Sequence, residues 1–355
     1  MGSGIPYTFA KYSFIILPGF QYGGMEHTGA TLYNDTRMFL SEHPTLDEEL
    51  ARAKLIAHET AHMWFGIDLS QETYALTVPL DTKAILPNTD ERGYGLFIPD
   101  EQTRTWLLAH WQEITDDTAR QSLLMLLYEN YQHRIITDKE WMNALLNGLK
   151  TEKNALIAST LCSYLGGPMR KLKDEKQEET IWGWTEKHPI ASCRLQLMRS
   201  LISNASAPQS IEKLYRIWEE QSHPMLNERD YMTMAYELAL HYPEKYENIR
   251  TSQRERITNP DRLRQFDFIV QAVTPVTLQM DVFFQSLLKA ENRRIEPWAA
   301  SALAYLNHPL RQSYSIKFIR PGLEVLQEVQ RTGDIFFPKN WVSALLGNYK
   351  SKEAY

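Results

Sequence analysis

Apolar residues recur at helical spacing over most of this chain. Beyond about residue 100, Trp106, Leu107, His110 and Trp111 lead to the block Leu123 to Tyr128, and then to Trp141, Leu145, Leu146 and Leu149. Each set gathers its large side chains on one face of a helix. The run Ala155 to Leu165 closes at Gly166-Gly167-Pro168, and later stretches stop near Pro189, Pro224, Pro243, Pro260, Pro275, Pro297 and Pro309. A proline inside a helix removes a donor and crowds the preceding turn, so this punctuation predicts helices or helix pairs laid one after another. With no strict sequence period, the series predicts an irregular α-solenoid, each pair burying its apolar face against the next.

The first hundred residues read differently. Ser13-Phe-Ile-Ile-Leu17 is a short β-favouring run closed by Pro18-Gly19, and it predicts a buried strand entering a turn before Gly23-Gly24. Thr45-Leu-Asp-Glu48 matches a capping box after Pro44, and Leu50, Ala51, Leu55, Ile56, Ala57 and Ala61 keep helical spacing as far as Gly66. From Ile67 to Pro99, clusters such as Tyr74-Ala-Leu-Thr-Val78 and Tyr94-Gly-Leu-Phe-Ile98 predict strands, broken by Pro79, Pro87 and Gly93. The fold class expected is mainly α, with three parts: 1–66, a small β segment over 67–99, and a helical domain over 100–355.

Composition narrows the function. At 355 residues, with 43% hydrophobic and 23% charged, the chain is a folded protein of two or three domains. A net charge of −6 offers no broad basic surface, which argues against nucleic acid as a partner. Phe14-Ile-Ile-Leu17, the longest apolar run near the start, is far too short for a membrane span or a signal core, and the compartment stays open. Cys162 and Cys193 each sit in an apolar helical stretch and read as buried, reduced thiols. Aromatic and Met residues at helical spacing read as core packing, while Lys171 to Lys176, Arg254 to Arg256 and Arg293-Arg294 read as solvated faces.

Two short stretches carry chemistry. In His58-Glu59-Thr60-Ala61-His62 the histidines are four apart, so both imidazoles lie on one helix face and can reach one ion. Glu59 projects from the adjoining flank, where a carboxylate can take a proton from an attacking water without ligating the metal. The competing reading is a pair of surface or packed histidines. Ahead of this helix stands Gly23-Gly24-Met25-Glu26-His27, a backbone laid open beside a carboxylate.

Together these stretches, with the trailing Met63-Trp64-Phe65-Gly66, resemble the gluzincin aminopeptidases of the aminopeptidase N and leukotriene A4 hydrolase family. In that family a Gly-x-Met-Glu-Asn strand precedes a His-Glu-x-x-His-x-Trp-Phe-Gly helix. The resemblance implies that His58 and His62 bind zinc and that Glu59 activates the water. It also implies that Glu26 holds the free α-amino group of a peptide substrate, while Gly23, Gly24 and Met25 offer it backbone. His27 stands where Asn is commoner. Residues 1–66 would then be part of a thermolysin-like catalytic domain, 67–99 the small β element that follows it, and 100–355 the helical-repeat C-terminal domain.

Two family features lack their usual context. The third zinc ligand is a Glu in an Asn-Glu-Gly helix about eighteen residues past the second histidine, and a transition-state tyrosine follows it. Asp81 falls at that interval, but Val78-Pro79-Leu80 cannot form a helix interior there, and Tyr74 and Tyr94 read as strand residues. The chain is thus expected to be a shortened, internally deleted zinc aminopeptidase. The alternative is a non-catalytic helical scaffold or peptide-binding module that carries a remnant metallopeptidase helix.

Overall fold

The computed structural model describes residues 11–18, 20, 22–27, 29–40, 44, 46–61, 79, 81–89 and 95–349. It divides the chain into two compact units, Met1–Thr82 and Lys83–Tyr355. The first contains the only sheet among the described residues, and the second is helical.

In the first unit, β1 (Ser13–Leu17), β2 (Gly24–Met25) and β3 (Ala30–Asn34) form a sheet in the order β1-β3-β2. β1 runs parallel to β3, with Ser13 opposite Ala30; β2 runs antiparallel, with Gly24 opposite Tyr33 and Met25 opposite Leu32. The β2–β3 link is tight. The His27 amide donates to the Met25 carbonyl (3.0 Å) and the Ala30 amide to that of His27 (2.9 Å). Gly29 sits there at φ +73°, a conformation costly for any residue with a Cβ, and the added atom would stand 3.2 Å from the Lys11 carbonyl. β3 leads into α1 (Asp35–Met38), which Asn34 caps by accepting from the Thr36 amide (2.9 Å). The helix α2 (Leu46–Ala61) follows; its predicted extension to Gly66 lies outside the described residues.

The strand expected at 13–17 forms, but it is not buried. Among the described residues it lies at the sheet edge with a neighbour on one side only, and Phe14 and Ile15 are 47% and 40% exposed. The buried strand is instead the central β3, whose Thr31 and Tyr33 are fully covered.

Within 67–99, Ile67 to Val78 and Tyr94 lie outside the described residues, and the described stretches 81–89 and 95–99 hold turns and extended backbone but no strand. Side chains from the helices satisfy this backbone in place of a ladder. The Ile85 amide donates to Thr103 Oγ1 (3.2 Å), the Asn88 carbonyl accepts from Ser122 Oγ (2.8 Å), and the Phe97 carbonyl accepts from Asn130 Nδ2 (2.9 Å).

The second unit runs through α3 (Glu101–His110), α4 (Asp117–Gln132), α5 (Asp138–Thr151), α6 (Ala155–Tyr164), α7 (Gly166–Leu172), α8 (Glu175–Lys187), α9 (Ala191–Asn204), α10 (Pro208–Glu220) and α11 (Glu228–His241). It continues with α12 (Tyr246–Arg256), α13 (Pro260–Ile269), α14 (Thr277–Leu287), α15 (Glu296–Leu306), α16 (Gln312–Ser315), α17 (Ile319–Glu324), α18 (Leu326–Thr332) and α19 (Phe337–Leu346). Helices pack mostly on near neighbours in sequence, as α5 does on α6 and α7, α9 on α6, α8 and α11, and α15 on α13, α14 and α19. The chain is therefore mainly α with a small β element, as expected. None of the described helices is long and apolar enough to cross a membrane.

Several prolines read as stops are starts. Pro260 and Pro297 stand in the first turns of α13 and α15, and Pro243 and Pro309 open single 3₁₀ turns. At those positions the missing amide has no intrahelical partner to lose, and the fixed φ suits a helix. Polar side chains cap many starts, that of α13 included: Asp100, Asp116, Asn154, Asp174 and Asn259 accept from first-turn amides, and Thr137 and Asn227 form reciprocal capping boxes with Glu140 and Asp230.

The core rests on four fully buried tryptophans, Trp111, Trp141, Trp218 and Trp341. Trp218 and Trp341 donate their indole N–H groups to Gln253 Oε1 (2.7 Å) and the Gly322 carbonyl (2.9 Å), which removes the cost of burying them. Cys162 and Cys193 are buried and unlinked, as expected. Arg293 is not on a solvated face. It is 3% exposed, donating to the Leu287 carbonyl (2.7 Å) and Glu328 (2.6 Å), because a planar guanidinium can pair with both while its stem is covered.

Candidate active site

Leu55 and Glu59 are one helical turn apart, and both face the glycine strand. A Cβ built on Gly23 would meet Leu55 Cδ1 at 3.3 Å, and one built on Gly24 would meet the Glu59 side chain at 2.5–2.6 Å. Only a strand without side chains at this point lets α2 approach so closely. Backbone pairing holds that strand in place, since the Gly23 carbonyl accepts from the Asn34 amide (3.0 Å).

The Glu59 carboxylate is consequently buried, at 4% exposure, beside the open backbone of Gly24. Hydroxyls gather on the same side. Tyr12 Oη and Thr60 Oγ1 are 2.8 Å apart, and Thr31 and Tyr33 are buried on β3. Burial raises the Tyr33 pKa above that of an ordinary phenol, helped by the Tyr12 hydroxyl and by the negative charge of Glu59. This phenol stays protonated at neutral pH and can only support, not replace, the carboxylate as a base.

The predicted residues divide accordingly. Gly23, Gly24 and Met25 lie on or beside β2, while Glu26 follows directly and is exposed. His58 is exposed on α2 next to the inward-facing Glu59. His62 lies outside the described residues, as do Tyr74 and Tyr94. Asp81 is exposed in a turn closed by the Thr82 amide on the Pro79 carbonyl (3.0 Å), not in a helix. Sequence reasoning missed the hydroxyl group around Glu59. The available signal was the alternation in Thr31-Leu-Tyr33, which puts two polar side chains on one face of a strand.

Catalytic zinc ordinarily takes three protein ligands. Among the described residues no group of three His, Cys, Asp or Glu side chains converges to hold a metal ion. His58 is the one placed member of the histidine pair, so the described residues do not by themselves make a metal centre. What they do make is a buried carboxylate against open strand backbone, an arrangement that can bind an extended peptide edge and move a proton beside it.

The sequence is similar to those of known proteins. Residues 3–73 match the Peptidase family M1 domain. Aminopeptidase M1 of Arabidopsis thaliana is 22% identical over 219 residues, 61% of this chain and 23% of that protein. Leucyl aminopeptidase of Saccharolobus solfataricus is 37% identical over 62 residues, covering 18% of this chain and 8% of its own length. Probable aminopeptidase 1 of Sulfurisphaera tokodaii is 31% identical over 107 residues, or 27% and 13%. The chain thus spans 23% of the Arabidopsis protein and still less of the two archaeal ones. Over residues 3–73 the chain is thus similar to the M1 peptidase domain, and the relatives it matches are aminopeptidases.

Proposed function

We propose that the first unit carries the working parts of a zinc aminopeptidase, removing the first residue from peptides with a free N-terminus. The observation that carries this reading is the Glu59 carboxylate packed against Gly24. It sets a proton acceptor beside β2, an edge strand among the described residues. Glu59 takes the proton of the attacking water. Gly23, Gly24 and Met25 offer backbone partners to the substrate, and Glu26 meets its ammonium group. An internal peptide would leave the Glu26 charge uncompensated, so electrostatics makes the cleavage exopeptidic. His58 and His62 would hold the zinc, which when bound supplies Lewis acidity and a water acidic enough to lose its proton near neutrality. The second unit, in this reading, is a helical-repeat solenoid.

The experiment is a comparison of an amino-acid nitroanilide with its N-acetylated form. The free amine should be hydrolysed and the blocked compound left intact; equal turnover of both removes Glu26 from its role. Zinc content should be near one ion per chain and fall in His58→Ala.

A second reading rests on the helical second unit, Lys83–Tyr355, which is the larger of the two. In it the helical array binds peptides as a scaffold and α2 is a packed remnant. A chain that takes up no zinc on loading and leaves the nitroanilide untouched would select it.

A further inference from the structure

The second unit has a cavity of its own, of about 510 Å³, between the α6–α7 corner, α9, α11, α15 and the end of α19. That volume suits a small organic ligand. Its wall is polar, and the charges on it are unevenly settled.

Arg199 and Asp230 neutralise each other through two hydrogen bonds, 2.7 and 3.0 Å. Glu237 and His308 face one another at 3.5 Å, both nearly covered, with side chains 13% and 14% exposed. His308 Nδ1 accepts from the Leu310 amide (3.3 Å), which fixes the proton on Nε2 and turns it toward Glu237. Arg170, by contrast, is exposed at the cavity wall and has no carboxylate within ion-pair distance among the described residues; its Nε reaches only the Gly166 carbonyl (3.4 Å). Hydroxyls of Ser163, Ser200 and Ser203 and the amide of Asn204 complete this side.

The protonation states point the same way. Burial, against the pull of Arg170 and a Tyr305 hydrogen bond, pushes the Glu237 pKa up to about 8. Burial, then His241, Arg170, Arg311 and Lys173, pushes that of His308 down to about 3. At neutral pH both are uncharged, and among the described residues Arg170 is the cavity-lining cation without an ion-pair partner.

We infer that this cavity is a binding site for a small carboxylate, either a free acid or the C-terminal carboxylate of a peptide, held by Arg170. The inference does not depend on the aminopeptidase reading, and N-acetylated ligands, which that site would refuse, keep the two apart.

Calorimetry on the full chain at pH 6.5 tests it with N-acetylalanine, N-acetyl-tetra-alanine, their C-terminal amides and inorganic phosphate. The acids should bind and the amides should not. Tighter binding of the peptide acid assigns the site to peptide termini; equal affinity assigns it to free acids. Arg170→Gln, at an exposed position, should weaken binding at least about tenfold, the loss of one charge-assisted contact. Glu237→Gln keeps shape and neutrality, so it should bind as the wild type does at pH 6.5 and keep its affinity at pH 9. Wild-type affinity should fall over that range as Glu237 ionises against the bound anion. Amides binding as well as acids, phosphate binding in preference to them, or an unchanged affinity in Arg170→Gln would each overturn the assignment. Circular dichroism melts check that both variants are folded.

Discussion

Glu59 and Glu178 are buried to nearly the same degree, 4% and 3% exposed, in different units and for different ends. Glu178 accepts from the Ser206 amide (2.7 Å), the Ser206 hydroxyl (3.0 Å) and the Ala207 amide (3.1 Å), and so satisfies the start of α10 from a neighbouring helix. Its charge is consumed by structure. Glu59 instead lies against the bare backbone of Gly24, with the Tyr12 and Tyr33 phenols within electrostatic range. Burial by itself therefore does not mark a functional carboxylate; what marks it is whether its neighbours are groups the fold needs to satisfy.

This contrast can be broken at several points. Under the proposed function, Glu59→Gln should lower kcat by about 10² to 10⁴, the range for loss of a general base, with an unchanged melt. Undiminished turnover would put Glu59 with Glu178 as a structural acid. Arg120→Ala should destabilise the second unit by about 3 to 5 kcal/mol, because it leaves Glu152, now held at 2.7 and 3.0 Å with its side chain 2% exposed, as a buried unpaired charge. Urea titration of the helical signal measures this, and a shift below 1 kcal/mol would refute it.

Gly24→Ala should cost about a hundredfold in kcat by pushing Glu59 aside, whereas Gly23→Ala meets only the flexible tip of Leu55 at 3.3 Å and should cost far less. Equal effects would mean that the Glu59 contact is incidental. Glu178→Ala should destabilise by about 2 to 3 kcal/mol and leave nitroanilide turnover unchanged.

The smallest effect expected is on pH dependence. His308 titrates lower in the folded chain than in the unfolded, where its pKa is about 6.5. The unfolded chain therefore binds that proton first, and stability is lost as pH falls from about 6.5 toward 3. Glu237 acts oppositely. Its raised folded pKa makes stability decline as pH rises from about 4.5 to 8. Between pH 6.5 and 4.5 the two contributions largely offset, so the wild-type urea midpoint should change little, whereas in His308→Gln it should rise as pH falls; an identical slope in that variant would show that other groups govern it.

The helical unit was the more legible because its information is local. Apolar spacing alone located α4, α5 and α6. At 95–98 the sequence misled because Asn130, distant in sequence, supplies the Phe97 carbonyl with the hydrogen bond a strand partner would have given. β3 passed unnoticed because Thr31 and Tyr33, its buried positions, are polar. The histidines, Glu59 and the glycines could be named from their order alone. The Glu59–Gly24 contact could not, since it depends on how closely a helix settles on a sheet, a distance that no spacing rule encodes.

The self-capped helix starts of the second unit bear on how the chain is made. The α-helices α3, α4, α5, α6, α8, α11 and α13 begin with a capping side chain at their own N-termini and then lean on a partner a few elements away, so their starts do not wait for distant sequence. Structure can accumulate in the order in which a ribosome delivers it, N-terminal helices first, with each new pair finding its docking face already built.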